Sequence, residues 1–358
     1  MTEGERLFLQ GKTDEAYEIL QKEGSGRSCY MLGLIDREGY GHHKADEEKS
    51  REWFQKGKKM GDPLCGISLF HGETGKDMWD TVNQDFSRIL LAANQGDVLA
   101  MDEAGLSYLG NGMILNFEEG LKWLAKAALF EYWKALYDLG MAYMDGYAAV
   151  PDEAKAVKCL EQAASFGHSE SEYELGKWEF DRENAEKAIQ WMKKSYEHGN
   201  AEAALFLGNY YEGQTDGNPK DAEEAFHWYE NAARMGEGEA MAELSFFYEQ
   251  GIVVEKDDRK AEYLLKDAIT LGYKDAFFSL ALFYLDRKKE TEAFTYMEAA
   301  AKGGSRRALY MTGMMYLYGQ GTEPDRNKGI EYLKDAAEMG EENAEQELKN
   351  QGIFMDMM

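Results

Sequence analysis

The histidines, cysteines and closely spaced glycines are the residues of this chain most suited to chemistry. His42 and His43 stand near Asp46, Glu47 and Glu48, which supplies ligand types for a transition metal. The spacing matches no standard site, and acids at the opening turn of a helix are accounted for by its dipole, so no metal site is expected. His71, His168, His198 and His227 are far apart, with no Cys or Ser motif beside them to suggest a nucleophile. Cys29, Cys65 and Cys159 are too few and too scattered for a disulfide framework or a four-thiolate zinc site. Gly110-Asn-Gly112 and Gly319-Gln-Gly321 have the glycines of a phosphate loop. Neither follows a strand or leads into Lys-Ser/Thr, which leaves both a turn role. The 67 carboxylates are too diffuse to single out an acid/base pair. The expectation is a protein that is not an enzyme, with no catalytic residue, no cofactor and no metal.

The charge balance narrows the partners. Lys and Arg number 40 against those 67 acids, a net charge of −27, which repels phosphate backbones and argues against nucleic acid. A basic segment on a protein or peptide partner would be attracted instead. With 44% hydrophobic and 13% aromatic residues the chain has material for a core. No run approaches the length of a membrane span and the first residues do not read as a leader, so no membrane partner and a cytoplasmic location are expected.

These residues must be positioned by elements, and the punctuation shows which. Four prolines against 37 glycines mean that helices here are ended by glycine. From Gly24, the same context recurs at Gly61, Gly96, Glu131, Gly167, Gly199, Gly236, Gly272, Gly304 and Gly340, in steps of 32 to 37 residues, the length of one helix–turn–helix unit. Other slots keep phase. Four before it every residue is small (Gly57, Ala92, Ala127, Ala163, Ser195, Ala232, Ala268, Ala300, Ala336). Eight before it stand Trp53, Trp123, Trp191, Trp228, Tyr296 and Tyr332 among others, with Arg88 the polar exception. Four after it the residue is again small, and five further lies a second small slot, Gly33, Gly105, Gly140, Gly176, Gly208 or Gly313 in six repeats. A Tyr follows that slot by three at Tyr108, Tyr143, Tyr211, Tyr248, Tyr284 and Tyr316. Small residues at helical spacing let two backbones approach, and large residues one turn away are expected to fill the groove between them. The fold class is therefore all-α, a right-handed α/α superhelical solenoid of stacked helix-turn-helix repeats.

The divisions follow the glycines. Residues 1–24 form an N-terminal short helix pair, a cap; 25–340 hold nine repeats (25–61, 62–96, 97–131, 132–167, 168–199, 200–236, 237–272, 273–304, 305–340); 341–358 form a C-terminal capping helix with an acidic, Met-rich tail. The run from Ala308 through Gly313, Tyr316, Gly319 and Gly321 to Ala336, Ala337 and Gly340 resembles Sel1-like repeats, as do the units Ala135–Gly167, Ala203–Gly236 and Ala240–Gly272. The resemblance covers nearly the whole chain. It implies a tetratricopeptide-related (TPR-like) solenoid that serves as a non-catalytic adaptor or scaffold, and the lack of paired cysteines sets the chain apart from the secreted, disulfide-bearing branch.

Departures from the pattern are candidate sites. Phe70 fills a small slot and 71–84 is an irregular connection with Trp79; Glu131-Tyr132-Trp133 replaces a terminal glycine, so that the helix is expected to run on; Asp181 to Asn184 shortens a hairpin loop. The first helix of each repeat is expected to line a concave groove, where side chains three before and one after the second small slot share a face. The expected partner stripe is Tyr30, Tyr137, Met141, Tyr173, Lys177, Asn209, Phe246, Phe278, Tyr310 and Met314, with Tyr137, Tyr173 and Tyr310 as aromatic anchors and Trp79, Trp133 and Trp178 in second rank. The function expected is the binding of a peptide or protein domain in that groove. The alternative is a small-molecule or glycan-binding sensor that uses the same groove.

Overall fold

Six side chains start the second helices of the repeats and tie them to the first. Asp46, Asn116, Asp152, Asp221, Asp257 and Asp325 each accept a hydrogen bond from a first-turn backbone N–H of the helix they open, meeting one of its four orphan donors. The backbone N–H of five of them reaches back to the preceding helix, donating to the carbonyls of Tyr108, Tyr143, Tyr211, Tyr248 and Tyr316 at 2.8–3.0 Å. Where the Tyr slot is filled, it is thus the point at which the hairpin closes; Asp36 and Glu179 take that place in two others, accepting from the Asp46 and Asn184 N–H groups.

A computed structural model describes residues 1–41, 43–69, 76–111, 115–146, 151–213 and 221–353, with the side chains of 76–82 and 111 left out. The described residues form twenty-one α-helices and no strand. They fall into two compact units, Met1–Asn200 and Ala201–Met358. In the first, α1 (Glu3–Leu9) and α2 (Thr13–Glu23) form a short hairpin. The pairs α3 (Gly26–Glu38) with α4 (Glu47–Lys59), α5 (Pro63–Ser68) with α6 (Lys76–Asn94), α7 (Val98–Leu106) with α8 (Phe117–Ala128), α9 (Trp133–Met144) with α10 (Glu153–Ala164), and α11 (Ser169–Phe180) with α12 (Ala185–Glu197) follow. The second holds α13 (Ala201–Glu212) with α14 (Ala222–Met235), α15 (Gly238–Gln250) with α16 (Asp258–Thr270), α17 (Asp275–Asp286) with α18 (Glu290–Lys302), α19 (Arg306–Tyr318) with α20 (Arg326–Glu338), and a final α21 (Glu342–Asn350). His42, the loop part of 71–84 and Gly112 lie outside the described residues.

The terminal glycines end the second helices in the left-handed region, with φ from +76° to +101° for the eight from Gly61 to Gly340. The residue after the glycine then donates to the carbonyl of the small slot five positions back, as Asp62 does to Gly57, Glu237 to Ala232 and Ser305 to Ala300. One expectation is corrected here. The helix before Glu131 does not run on: α8 stops at Ala128 and Glu131 itself takes φ +56°. The chain must reverse there because Tyr132 and Trp133, the next two residues, are both buried. The partner of the second small slot is also one residue along from the large slot read in the sequence. A Cβ on Gly105, Gly176, Gly208 or Gly313 would lie 2.5–2.9 Å from Leu124, Met192, Tyr229 or Leu333, each following the Trp/Tyr position.

Candidate partner-binding face

The expected stripe divides between the two units. In the first, Tyr30 is buried on α3, its hydroxyl donating to Glu103 Oε2 of α7 at 3.1 Å. Neighbouring Lys134 is buried on α9 between Asp138 and Asp102, the latter 3.5 Å away. Burial opposes the charge of this lysine, and the two aspartates outweigh it and raise its pKa. Tyr137 is half-buried edge-on to His168, with centroids 4.8 Å apart, and burial raises its phenol. Met141 packs on the cluster of Leu160 and Leu175. Tyr173 lies under the Lys177 ammonium at 5.3 Å, and Lys177 also pairs with Glu174 at 3.1 Å.

What fills this side of the first unit is its own N-terminal hairpin. Phe8 of α1 is fully buried against Tyr132 and Trp133, 6.1 and 5.9 Å between ring centroids. Trp133 Nε1 donates to the Phe8 carbonyl at 2.8 Å. Leu7, Phe8, Tyr30, Leu34, Tyr132 and Trp133 belong to one apolar cluster. From α2 the Tyr17 hydroxyl reaches the buried Asp36 carboxylate, which also accepts from Trp53 Nε1 at 3.0 Å and Lys49 Nζ at 3.2 Å. A cleft of about 260 Å³ remains at the seam, bordered by Gly11, Thr13, Trp133, His168 and His198. His168 shares a 2.7 Å hydrogen bond with Ser171 Oγ, and His198 one of the same length with the buried Glu172. Trp133 is therefore a packing residue, as its 2% exposure requires. Trp178 is half-buried under Arg182, 4.0 Å from its ring, and the side chain of Trp79 lies outside the described ones.

In the second unit two of these slots are exposed and the others half-buried. Phe246 on α15 is 46% exposed and Leu282 on α17 is 38% exposed, whereas Leu34 at the matching position of α3 is 1% exposed. Phe278, Tyr310 and Met314 are half-buried on α17 and α19. Asn209 on α13 is half-buried and engaged, the Tyr229 hydroxyl lying 2.8 Å from its Oδ1 and 2.5 Å from Glu212 Oε2. Helices α13, α15 and α17 are neighbours, so these slots adjoin. A feature not singled out in the sequence is the run Glu239, Glu243, Phe246, spaced i, i+4, i+7 on one side of α15. Burial pushes the Glu243 carboxyl up to about 7, and the Glu212 and Glu239 charges add to it. Its signal was present in the helical spacing, hidden by the abundance of acids.

Comparison with known proteins places this arrangement. The Sel1 repeat model matches residues 26–62, 98–129, 133–168, 169–200, 201–237, 238–273, 278–305 and 306–341. Among solved structures, a protective antigen of uropathogenic Escherichia coli displaying an SLR fold is 25% identical, covering 95% of this chain and 75% of that one at a TM-score of 0.61. A Sel1 repeat protein from Oxalobacter formigenes is 26% identical, covering 84% and 90%, at a TM-score of 0.65. No curated protein matches the sequence. Sel1 repeat proteins are in general protein–protein interaction scaffolds and non-enzymatic. With eight matched repeats over more than half its length, the chain belongs to the Sel1 repeat family.

Proposed function

We propose that this chain is a non-catalytic interaction scaffold that binds a peptide or protein domain on the first-helix face of residues 201–358. The observation that carries the reading is the contrast in exposure: Tyr30 and Leu34 on α3 are buried in one cluster with Leu7 and Phe8 of the N-terminal hairpin, whereas the slots equivalent to Leu34 leave Phe246 and Leu282 exposed on α15 and α17. Exposed aromatic and apolar side chains on rigid helices give contact area at small entropic cost, the usual character of interface anchors. Tyr30, being buried, is not part of the proposed face, which rests on Phe246, Phe278, Leu282, Tyr310 and Met314, with Asn209 at its edge. Among the described residues no helix is long and apolar enough to cross a membrane. The three free thiols suit the reducing cytoplasm as its place of action.

Affinity purification from the native host tests this, comparing wild type with Phe246→Ala/Phe278→Ala/Tyr310→Ala, each checked for an unchanged helical melt. A partner held by wild type and lost from the triple variant is expected. Identical partners with both proteins would refute the assignment of the face.

A further inference from the structure

The open face of the second unit is not merely apolar. On α15 it carries Glu239 and Glu243 two turns and one turn before Phe246, and the neighbouring α17 presents Phe278 and Leu282. Neither Glu239 nor Glu243 makes an ion pair with a lysine or arginine among the described residues. The charges that act on Glu243 are those of Glu212 and Glu239, and on Glu237 those of Glu202 and Glu239, all carboxylates. Burial is the larger cause at both, and each carboxyl is raised. Other half-buried acids of the second unit do have cations: Arg287 joins Glu249 at 2.7 Å, Lys266 holds Glu262 at 2.6 Å, and Lys302 holds Glu298 at 2.7 Å. Glu239 and Glu243, by contrast, lie on the same side of α15 as the exposed Phe246, so two carboxylates without a cation adjoin an open apolar slot.

Like charges gathered beside apolar surface are unfavourable until a cation enters, and truncating such complementarity is felt directly in the complex. We infer that the face formed by Glu239, Glu243 and Phe246 of α15 with Phe278 and Leu282 of α17 docks a peptide segment presenting a lysine or arginine beside apolar side chains. The cation seats against Glu239 and Glu243, and the apolar residues lie on Phe246, Phe278 and Leu282. This rests on the scaffold reading above and names the chemistry of its partner.

The probe is an immobilised array of random nonapeptides, screened with the full-length protein at about 0.15 M salt, where exposed charges beyond a Debye length are screened. Wild type is expected to retain peptides in which Lys or Arg adjoins aromatic or aliphatic residues. Glu239→Gln/Glu243→Gln should weaken those peptides by about tenfold or more and erase the basic preference. Phe246→Ala should weaken binding while keeping the preference. Glu223→Gln/Glu224→Gln, an equal charge change at exposed positions of α14, should alter neither. Peptides without a basic residue, lost with Phe246→Ala but untouched by Glu239→Gln/Glu243→Gln, would overturn the inference and leave the scaffold reading standing. Equal weakening by the α14 control would overturn it as general charge attraction. Retention of no peptide by wild type would overturn both.

Discussion

Glu131 takes the place of a glycine at a cost the fold absorbs. An L-residue in the left-handed region is roughly 1–2 kcal/mol less stable there than in its preferred wells, and glycine avoids this at an entropic cost of about 0.5–1 kcal/mol. Since Glu131 holds φ +56° and is exposed, Glu131→Gly is expected to stabilise the chain by about 0.5–1 kcal/mol, read as a higher urea midpoint at unchanged slope. A lower midpoint would mean that the glutamate side chain contributes more than its backbone costs. The glycine slot was legible as a period, and the fault lay in what its absence implied. Two large apolar residues directly after it, Tyr132 and Trp133, exert a stronger demand than helix propagation, and both are buried. Burial of that kind depends on Phe8, 125 residues away from Trp133, which local pattern does not reach.

At the scale of the element, the hairpin loop sets what the repeat tolerates. The two repeats with 32-residue steps close through left-handed Glu183 and Lys288, whose backbone N–H groups donate to Phe180 and Leu285. The longer loop of the last repeat bends at Gly319 and Gly321, with φ +68° and +69°, and Val253 takes φ +66° where the α15–α16 loop has no second glycine. The turn role read for Gly319-Gln-Gly321 matches this geometry. A Cβ on Gly321 would collide with the Glu290 backbone carbonyl, which cannot move aside as a side chain tip can. Gly321→Ala is therefore expected to cost about 2 kcal/mol or more, the sum of left-handed strain and overpacking, measured as a lowered thermal midpoint. An unchanged melt would show that the α18 terminus yields. The Asp and Asn caps escaped notice among 67 acids, although Asp46, Asn116, Asp152, Asp221, Asp257 and Asp325 each stand fifteen residues before a terminal-glycine slot. That constant distance is the signal that would have found them.

Over the whole molecule, the period foretold an array in which each repeat leans on its neighbours, and the second unit fits this: its substantial contacts run between consecutive helices and between α13, α15 and α17. The first unit departs from it, because Trp133 and Phe8 bracket the helices between them. This difference decides how damage spreads. Removing the Phe8 ring empties a fully buried site and should cost about 3–5 kcal/mol, shared by every element the bracket joins. In amide hydrogen exchange, Phe8→Ala is expected to lower protection in α1 to α3 and again in α9 to α11, far along the sequence, whereas Gly321→Ala lowers it only in α18 to α20. Faster exchange confined to α1 and α2 in Phe8→Ala would show that the N-terminal hairpin is a detachable cover. The slots packed against it, Tyr30 and Leu34, would then be reachable by a partner that displaces it, and the face open for binding would no longer be limited to residues 201–358.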